Sequence, residues 1–202
     1  FREELTGPEY AARYEDELAN RDVRMVLGTS VLGFEQEAEC YRVAVASPDR
    51  GPGTLRTRSV VLAMGSRERN RGSIQIPGDR PAGVLTAGAA QRMINIDGYI
   101  PGRRAVIIGS GDIGLIMARR MKLIGAEVLA IIEIQPVPSG INRNIAQCVE
   151  DFGIPLYVGH VVTRITGGDR VSSVDVAPIE AGVPRMEHAF TIDCDTVLLS
   201  VG

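Results

Sequence analysis

A glycine-rich loop in the middle of the chain constrains the fold more than any other stretch. The apolar run 105–108 leads directly into Gly109, Ser110, Gly111, Asp112, Ile113 and Gly114. These six residues match the pattern G-x-G-x-x-G, in which the first glycine permits a tight strand-to-helix turn. The second leaves room for a pyrophosphate, and the third lets the helix pack closely on the strand. Because a helix N-terminus attracts anions, the loop predicts a dinucleotide site.

A helix is predicted directly after this loop, over residues 112–124. Its apolar residues recur at helical spacing along one stripe. They are Ile113, Ile116, Met117, Met121 and Ile124. Arg120 falls on the same stripe, where its cation must reach solvent or find a partner. Gly125 then predicts the end of the helix.

An acidic residue at the end of the next predicted strand, 127–134, supports the dinucleotide interpretation. Glu133 lies nineteen residues beyond Gly114, close to the spacing of about 20 expected for an acid that binds the adenosine ribose. Its carboxylate can accept hydrogen bonds from both ribose hydroxyls and would repel a 2′-phosphate, which favours NAD(H) over NADP(H). Two alternatives stay open: a turn whose glycines serve packing alone, and an S-adenosylmethionine-dependent methyltransferase. The apolar strand and the third glycine disfavour the methyltransferase.

The other elements follow from turn residues and hydrophobic periodicity. Thr6 and Pro8 predict the start of a helix, and residues 24–63 predict a small antiparallel set of strands that ends in a buried strand at 60–64. The stretch 67–104 is rich in Arg, Gly and Pro, and we interpret most of it as a crossover between domains. A short helix is expected within it, around 87–93. Beyond the acid we predict a helix over 142–153 and strands within 154–168, 170–179 and 188–202.

Composition excludes several classes of protein. The 202 residues carry a net charge of −3 with no Trp and 4% aromatic residues, so neither a basic patch nor stacking rings for nucleic acid are expected. No apolar run has the length of a membrane span, and no signal peptide is visible. Cys40, Cys148 and Cys194 lie far apart and are odd in number, so we predict neither a disulfide framework nor a metal site, and we expect a cytoplasmic protein.

Several motifs occur in an order that resembles a known family. The segments VVLAMGS at 60–66, IPG at 76–78, the glycine loop and DTVLLSVG at 195–202 are similar to those of the FAD-dependent pyridine nucleotide-disulfide oxidoreductases, which bind two dinucleotides. The chain looks most similar to a subgroup that includes flavoprotein subunits of amino-acid and opine oxidases. In that family an FAD domain is split in sequence by an inserted NAD(P)H domain.

The resemblance implies a domain organisation and two cofactors. Residues 1–67 would be a partial, antiparallel FAD-domain segment, and 68–202 an α/β, Rossmann-like, three-layer NAD(H) domain. FAD would bind in the full-length protein, with Ala63, Gly65 and Gly202 as further cofactor contacts. Because the chain begins at Phe1 and stops just after an apolar run, we expect a piece of a longer protein that is inactive in flavin chemistry by itself.

The implied reaction is hydride transfer between nicotinamide and flavin, with no catalytic residue and no metal ligand in this chain. A small-molecule substrate or a redox protein would be the partner, and the resemblance leaves room for a homo-oligomer. Two positions depart from the family pattern. Met64 stands where a threonine is usual, and Ile116 where many relatives carry a glutamate near the nicotinamide. An alternative is therefore a non-catalytic binding or scaffold subunit that has lost its nucleotide.

The remaining candidates have mostly structural interpretations. His160 and His188 are each isolated and are expected to be structural or solvent-exposed. Cys148 and Cys194 are expected to be buried. Glu150 and Asp151 predict a solvated helix face. The arginines of 67–104 are expected to be solvated or to pair with acids rather than to clamp phosphates. Arg143 is a candidate neighbour of the adenosine phosphate, and simple exposure explains it equally well.

Overall fold

The computed structural model describes residues 3–202. The chain divides into two compact units, Phe1–Met64 and Gly65–Gly202. Each unit has its own sheet or sheets, and the glycine loop belongs to the second.

The first unit consists of one helix and a three-stranded antiparallel sheet in the order β1-β2-β3. Its elements are α1 (Gly7–Ala19), β1 (Ser30–Gln36), β2 (Tyr41–Ser47) and β3 (Gly51–Thr57). Helix α1 begins after Thr6, as predicted. The Thr6 hydroxyl accepts from the Glu9 N–H, and the Glu9 carboxylate accepts the Thr6 N–H at 2.8 Å. This reciprocal cap satisfies backbone donors that the first turn leaves free.

The predicted buried strand at 60–64 is wrong. Residues 58–70 form no strand, and the side chain of Val61 is 87% exposed. A strand is stable only where a neighbour takes up its backbone N–H and C=O groups. The antiparallel sheet ends at Thr57, and no strand of the described residues pairs with the segment that follows it. An apolar run of strand-like composition therefore forms no strand here.

The second unit is built around a parallel sheet with the strand order β4-β12-β5-β6-β7. Its strands are β4 (Val84–Thr86), β5 (Arg104–Ile108), β6 (Glu127–Glu133), β7 (Leu156–Val158) and β12 (Thr196–Leu199). Its helices are α2 (Arg71–Ile74), α3 (Ala87–Asn95), α4 (Asp112–Leu123) and α5 (Asn142–Ile145), which continues as a π-helical turn over Ala146–Glu150. The predicted helix over 142–153 therefore exists, with its second half wound more loosely.

Both faces of the parallel sheet are covered, which explains its apolar strands. On β5, Ala105 and Ile107 pack with α3 and α4, whereas Val106 faces the opposite side. That side is covered by an antiparallel sheet in which β9 (Val171–Glu180) lies between β8 (His160–Gly167) and β11 (Phe190–Asp193). A short β10 (Val183–Pro184) pairs with the end of β9 in antiparallel orientation, and a 3-10 turn spans Met186–His188. The three layers confirm the predicted α/β, Rossmann-like fold.

Two predictions about local structure need correction. The stretch 67–104 is not mainly a crossover, because β4 forms one edge of the parallel sheet and α3 packs its buried alanines on the core. The apolar stripe on α4 is only partly right: Met117 and Met121 are buried as predicted, whereas Ile113 and Ile116 are exposed. Leu115 and Ala118 are buried in their place, because the face that the core covers is rotated relative to the predicted stripe.

Candidate functional site

A cavity of about 630 Å³ opens at the carboxyl ends of the parallel strands. The glycine loop and the residues that end β6 and β12 form one side of it, and β8 forms another. The segment 74–77 contributes a third wall. In open α/β sheets, ligands bind at the carboxyl ends of the strands, at the point where the strand order reverses. In this sheet the order reverses at β5, which lies between β12 and β6.

The three glycines of the loop have different surroundings. Gly109 has φ +98°, and a Cβ there would collide with the carbonyl oxygen of Ser200. A Cβ on Gly114 would collide with the carbonyl of Gly109 and lie 3.1 Å from the Ser200 hydroxyl. Gly111 is different, because a Cβ there would meet nothing nearer than the Ser139 hydroxyl at 3.9 Å. Two glycines therefore serve packing, and the third keeps a space open.

That space lies at the start of helix α4. Gly111 is the N-cap residue of the helix, and no side chain caps the N–H groups of the first turn. Gly111 also lines the cavity. Unpaired N–H groups and the helix dipole make such a terminus attractive to anions. The residues present thus fit a dinucleotide phosphate, since a cradle that a Cβ would fill stands before uncapped donors.

Glu133 ends β6 beside this cradle and is held by four hydrogen bonds. One carboxylate oxygen, Oε2, accepts the Ser110 N–H at 2.9 Å, the Ser110 hydroxyl at 2.5 Å and, at 3.4 Å, the Ser139 hydroxyl. The other, Oε1, accepts the Gln135 N–H at 2.8 Å. Since a carboxylate oxygen accepts about two hydrogen bonds, Oε1 keeps one site for a further donor.

These hydrogen bonds determine the charge of Glu133. The residue is only 4% exposed, and burial by itself raises the pKa of a carboxyl group. The donors from Ser110, Gln135 and Ser139 outweigh burial, so the pKa of Glu133 lies below its ordinary value. The cavity is therefore bordered by an ionised carboxylate at neutral pH.

Asp112, predicted as a cofactor contact, binds the protein itself. Its Oδ1 accepts the Ile141 N–H at 2.9 Å and the Asn144 side-chain amide at 2.8 Å. These two bonds, the backbone one first, lower the pKa of Asp112. The carboxylate thus joins the first turn of α4 to the start of α5. It thereby holds the loop between β6 and α5 close to the glycine loop.

The other predicted contacts fall into separate places. Ser110 is fully buried, Ile113 is exposed on the outer side of α4, and Gly202 lines the cavity. Ala63 lies on the exposed segment of the first unit, and Gly65 is an exposed residue at the start of the second. The structure therefore brings Gly109, Gly111, Glu133 and Gly202 together at one cavity.

Three features of the cavity were missed from the sequence. Ser139, in the loop after β6, lines it beside Glu133. His160 also lines it, with Nδ1 2.7 Å from the Val158 carbonyl oxygen and its ring near Tyr157 and Phe190. The third is the wall over residues 74–77. The sequence did contain one signal for Ser139 and His160: the first follows β6 and the second begins β8. Loops at this edge of a sheet commonly form binding sites.

Arg71 supports the 74–77 wall and is an exception within its arginine-rich segment, where Arg92 and Arg104 pair with acids as expected. The residue is buried and donates to the backbone carbonyls of Ile76, Pro77 and Asp79. Burial lowers the pKa of its guanidinium. This arginine is neither solvated nor paired with an acid side chain, since it closes a backbone turn instead.

Other predicted residues take the places expected of structural groups. Cys148 and Cys194 are buried free thiols, and burial raises the pKa of Cys194 to about 11. His188 is exposed on the 3-10 turn, and Arg143 is exposed on α5 and does not line the cavity. Arg120 is partly buried, and its Nε has no hydrogen-bond partner among residues 3–202.

Residues 3–202 contain no group of three or more metal-ligating side chains that could hold an ion. Nor does any helix within this range combine the length and the apolar character that crossing a membrane requires.

Comparison with known proteins agrees with this geometry. The family described as pyridine nucleotide-disulphide oxidoreductase matches residues 44–202. Dihydrolipoyl dehydrogenase 3 of Pseudomonas aeruginosa is 24% identical over 165 residues, which cover 80% of this chain and 32% of that protein. An opine oxidase subunit from Agrobacterium tumefaciens is 33% identical over 84 residues, or 42% of this chain and 16% of that one.

Solved structures share the fold. Thioredoxin reductase from T. acidophilum superimposes with a TM-score of 0.72 at 23% identity, covering 98% of this chain and 60% of that one. The enzyme from Lactococcus lactis gives a TM-score of 0.73 at 18% identity, with the same coverage. The chain thus spans about a third of the first curated relative and 60% of these structures. The match over residues 44–202 places the chain in the FAD-dependent pyridine nucleotide-disulphide oxidoreductase family.

Proposed function

We propose that this chain binds NAD(H), in preference to NADP(H), at the carboxyl edge of its parallel sheet. The observation that carries the proposal is Gly111, whose missing Cβ leaves open space before the uncapped start of α4. The family is one of flavoprotein oxidoreductases, so a nicotinamide cofactor is the dinucleotide expected here. In the complete protein the nucleotide would exchange hydride with FAD.

The phosphates would lie against the N–H groups of the first turn of α4. These groups carry the positive end of the helix dipole and have no side-chain cap. Gly111 lets phosphate oxygens come close to the backbone, because no side chain occupies the space. Anion binding of this kind needs no charged side chain.

Glu133 would select between the two nicotinamide cofactors. Its Oε1 has one acceptor site left, so one adenosine ribose hydroxyl can donate to it. The sequence suggested hydrogen bonds to both ribose hydroxyls, but the Ser110 donors occupy Oε2. A 2′-phosphate would bring its negative charge beside a poorly exposed, ionised carboxylate. Repulsion in such a place is costly, because little water screens it.

The flavin, when bound in the full-length protein, supplies the hydride acceptor or donor. This chain would contribute binding and orientation: the glycine loop holds the phosphates, and Gly202 lines the same cavity. We assign no catalytic acid or base, since hydride exchange between two cofactors requires none in the nucleotide domain. Small-molecule substrates or a partner redox protein would meet the flavin, and a cytoplasmic location fits such chemistry.

The scaffold alternative has one observation in its favour. Glu133 already accepts four hydrogen bonds from the protein itself, so the loop is stable without a nucleotide. In that case the glycines would serve packing, and the chain would bind neither cofactor.

Calorimetric titration of the 202-residue chain with NADH and with NADPH tests the proposal. We expect NADH to bind and NADPH to bind at least about tenfold more weakly, equivalent to about 1.4 kcal/mol. The variant Gly111→Ala should weaken NADH binding about tenfold or more. Its φ of −64° accepts an alanine, and no protein atom obstructs the new methyl group.

Gly168→Ala is the matched control, because a Cβ at Gly168 also meets open space and this residue does not line the cavity. It should bind NADH as the wild type does. Absence of binding to either nucleotide by the wild type would favour the scaffold alternative. If Gly111→Ala binds NADH as tightly as the wild type does, the phosphates do not bind beside Gly111.

A further inference from the structure

The side chain of Ser139 has an unusual position beside the glycine loop. Its backbone is fixed, because the Ser139 N–H donates to the Ser110 hydroxyl at 2.9 Å. Its side-chain oxygen lies 3.3 Å from the Ser110 hydroxyl oxygen and 3.4 Å from Glu133 Oε2. Both distances exceed the usual range of about 2.5–3.0 Å for hydroxyl hydrogen bonds. The Ser139 proton is therefore weakly held by the protein.

The same hydroxyl borders the open space at the helix start. It is the atom nearest to the position that a Cβ on Gly111 would take, at 3.9 Å. Ser139 is exposed and lines the cavity. A group in this space would thus meet the N–H groups of α4 on one side and the Ser139 hydroxyl on another.

Ser110 cannot play this part, although it lies closer to the glycines. It is fully buried, and its hydroxyl donates a hydrogen bond to Glu133 at 2.5 Å while it accepts one from the Ser139 N–H. Both of these hydrogen bonds are made to other residues of the protein. The Ser139 hydroxyl, by contrast, has only long contacts, so its proton can change partner.

We propose that Ser139 is a nucleotide-binding residue whose hydroxyl donates a hydrogen bond to a phosphate oxygen of the dinucleotide. This inference rests on the proposed function. A phosphate oxygen is an anionic acceptor, and hydrogen bonds to such acceptors are shorter and stronger than those between neutral groups. The exchange costs little, because the two contacts that the hydroxyl gives up are long.

The test compares Ser139→Ala with wild type in titrations with NADH and with ADP, which shares the pyrophosphate and lacks nicotinamide. Loss of one hydrogen bond should weaken the binding of both ligands about 2- to 10-fold. Ser139→Thr keeps a hydroxyl and should restore most of the affinity. The midpoint of thermal unfolding should not change, since Ser139→Ala retains the backbone N–H that bonds to Ser110.

Ser172→Ala is the control, because this exposed serine bonds to the Thr166 carbonyl and does not line the cavity. Wild-type affinity in Ser139→Ala would overturn the assignment, as would a loss seen with NADH but not with ADP. A loss accompanied by a lower unfolding midpoint would show a structural role and also overturn it. Failure of the wild type to bind any nucleotide would overturn the proposed function and this assignment together.

Discussion

The two edges of the parallel sheet each hold a carboxylate that collects hydrogen bonds from the chain around it. Glu133 does so at the carboxyl edge, after β6. Asp195 does so at the amino edge, before β12, where it accepts the N–H groups of Arg103 and Arg104 and the Thr196 hydroxyl at 2.8–3.1 Å. Burial opposes ionisation at both, yet hydrogen bonds lower the pKa of both carboxyl groups.

The difference lies in the space beside each carboxylate. The Arg170 side chain fills the amino edge, with Nε 2.8 Å from the Asp195 carbonyl oxygen and Nη2 3.0 Å from the Thr196 hydroxyl. A Cβ on Gly102 would collide with the same groups. At the carboxyl edge, Gly111 leaves open space and the helix start is uncapped. A hydrogen-bonded, ionised carboxylate thus stabilises a strand end at the amino edge, whereas a similar carboxylate borders a cavity at the carboxyl edge.

The largest expected effect separates the two carboxylates by ligand binding. Glu133→Gln should weaken NADH binding about 30-fold, or about 2 kcal/mol, because the negative charge is lost and one acceptor oxygen becomes an amide donor. Asp195→Asn makes the equivalent change at the closed edge and should leave NADH affinity within about twofold. Calorimetric titration measures both. Comparable losses in the two variants would mean that the edges do not differ in function.

The next effect separates them by stability. Asp195→Ala removes the acceptor of two backbone N–H groups and of the Thr196 hydroxyl. The free energy of unfolding should fall by about 1.5 kcal/mol, with NADH affinity unchanged. Urea denaturation measures the first and calorimetry the second. An unchanged urea midpoint would show that water replaces Asp195 without cost.

A smaller effect is expected for the residue that orients Glu133. Ser110→Ala removes the hydroxyl that donates to Oε2 and accepts the Ser139 N–H. We expect a loss of about 1 kcal/mol in unfolding free energy. The preference for NADH over NADPH should also decrease, because the carboxylate is less firmly held as an anion. Ser110→Thr retains a hydroxyl and should keep the wild-type preference for NADH. If Ser110→Ala prefers NADH as strongly as the wild type does, Ser110 does not orient Glu133.

The smallest effect concerns acid. Because the pKa of Asp195 is lowered by folding, its contribution is present above the ordinary aspartate value of about 4 and is lost as pH falls through the folded value. At pH 6 the wild type should therefore be more stable than Asp195→Asn, and the gap should narrow towards pH 3. Urea denaturation across this range measures it. A gap that is constant with pH would exclude a role for the ionised form.

Local patterns predicted the parts of the fold that depend on neighbouring residues. The glycine loop, α4 and the strand that ends at Glu133 lie where spacing and periodicity placed them. Predictions failed where a partner far along the chain decides. Residues 60–64 have a strand-like composition but no partner strand in the described chain, and Val84–Thr86 became a strand because β12 lies beside it. The helix face that is buried was likewise decided by the sheet, which left Ile113 exposed.

The candidate site divides in the same way. The sequence by itself determined the glycine spacing, the acid that ends β6 and the apolar strands, because each is a pattern set by residues close together in the chain. Only the tertiary structure decided that Gly111 faces open space while Gly109 and Gly114 face carbonyl groups. It also decided that Asp112 bonds to α5 and that Ser110 holds Glu133. Those outcomes depend on which atoms meet across a loop, and residue spacing carries no information about such distances.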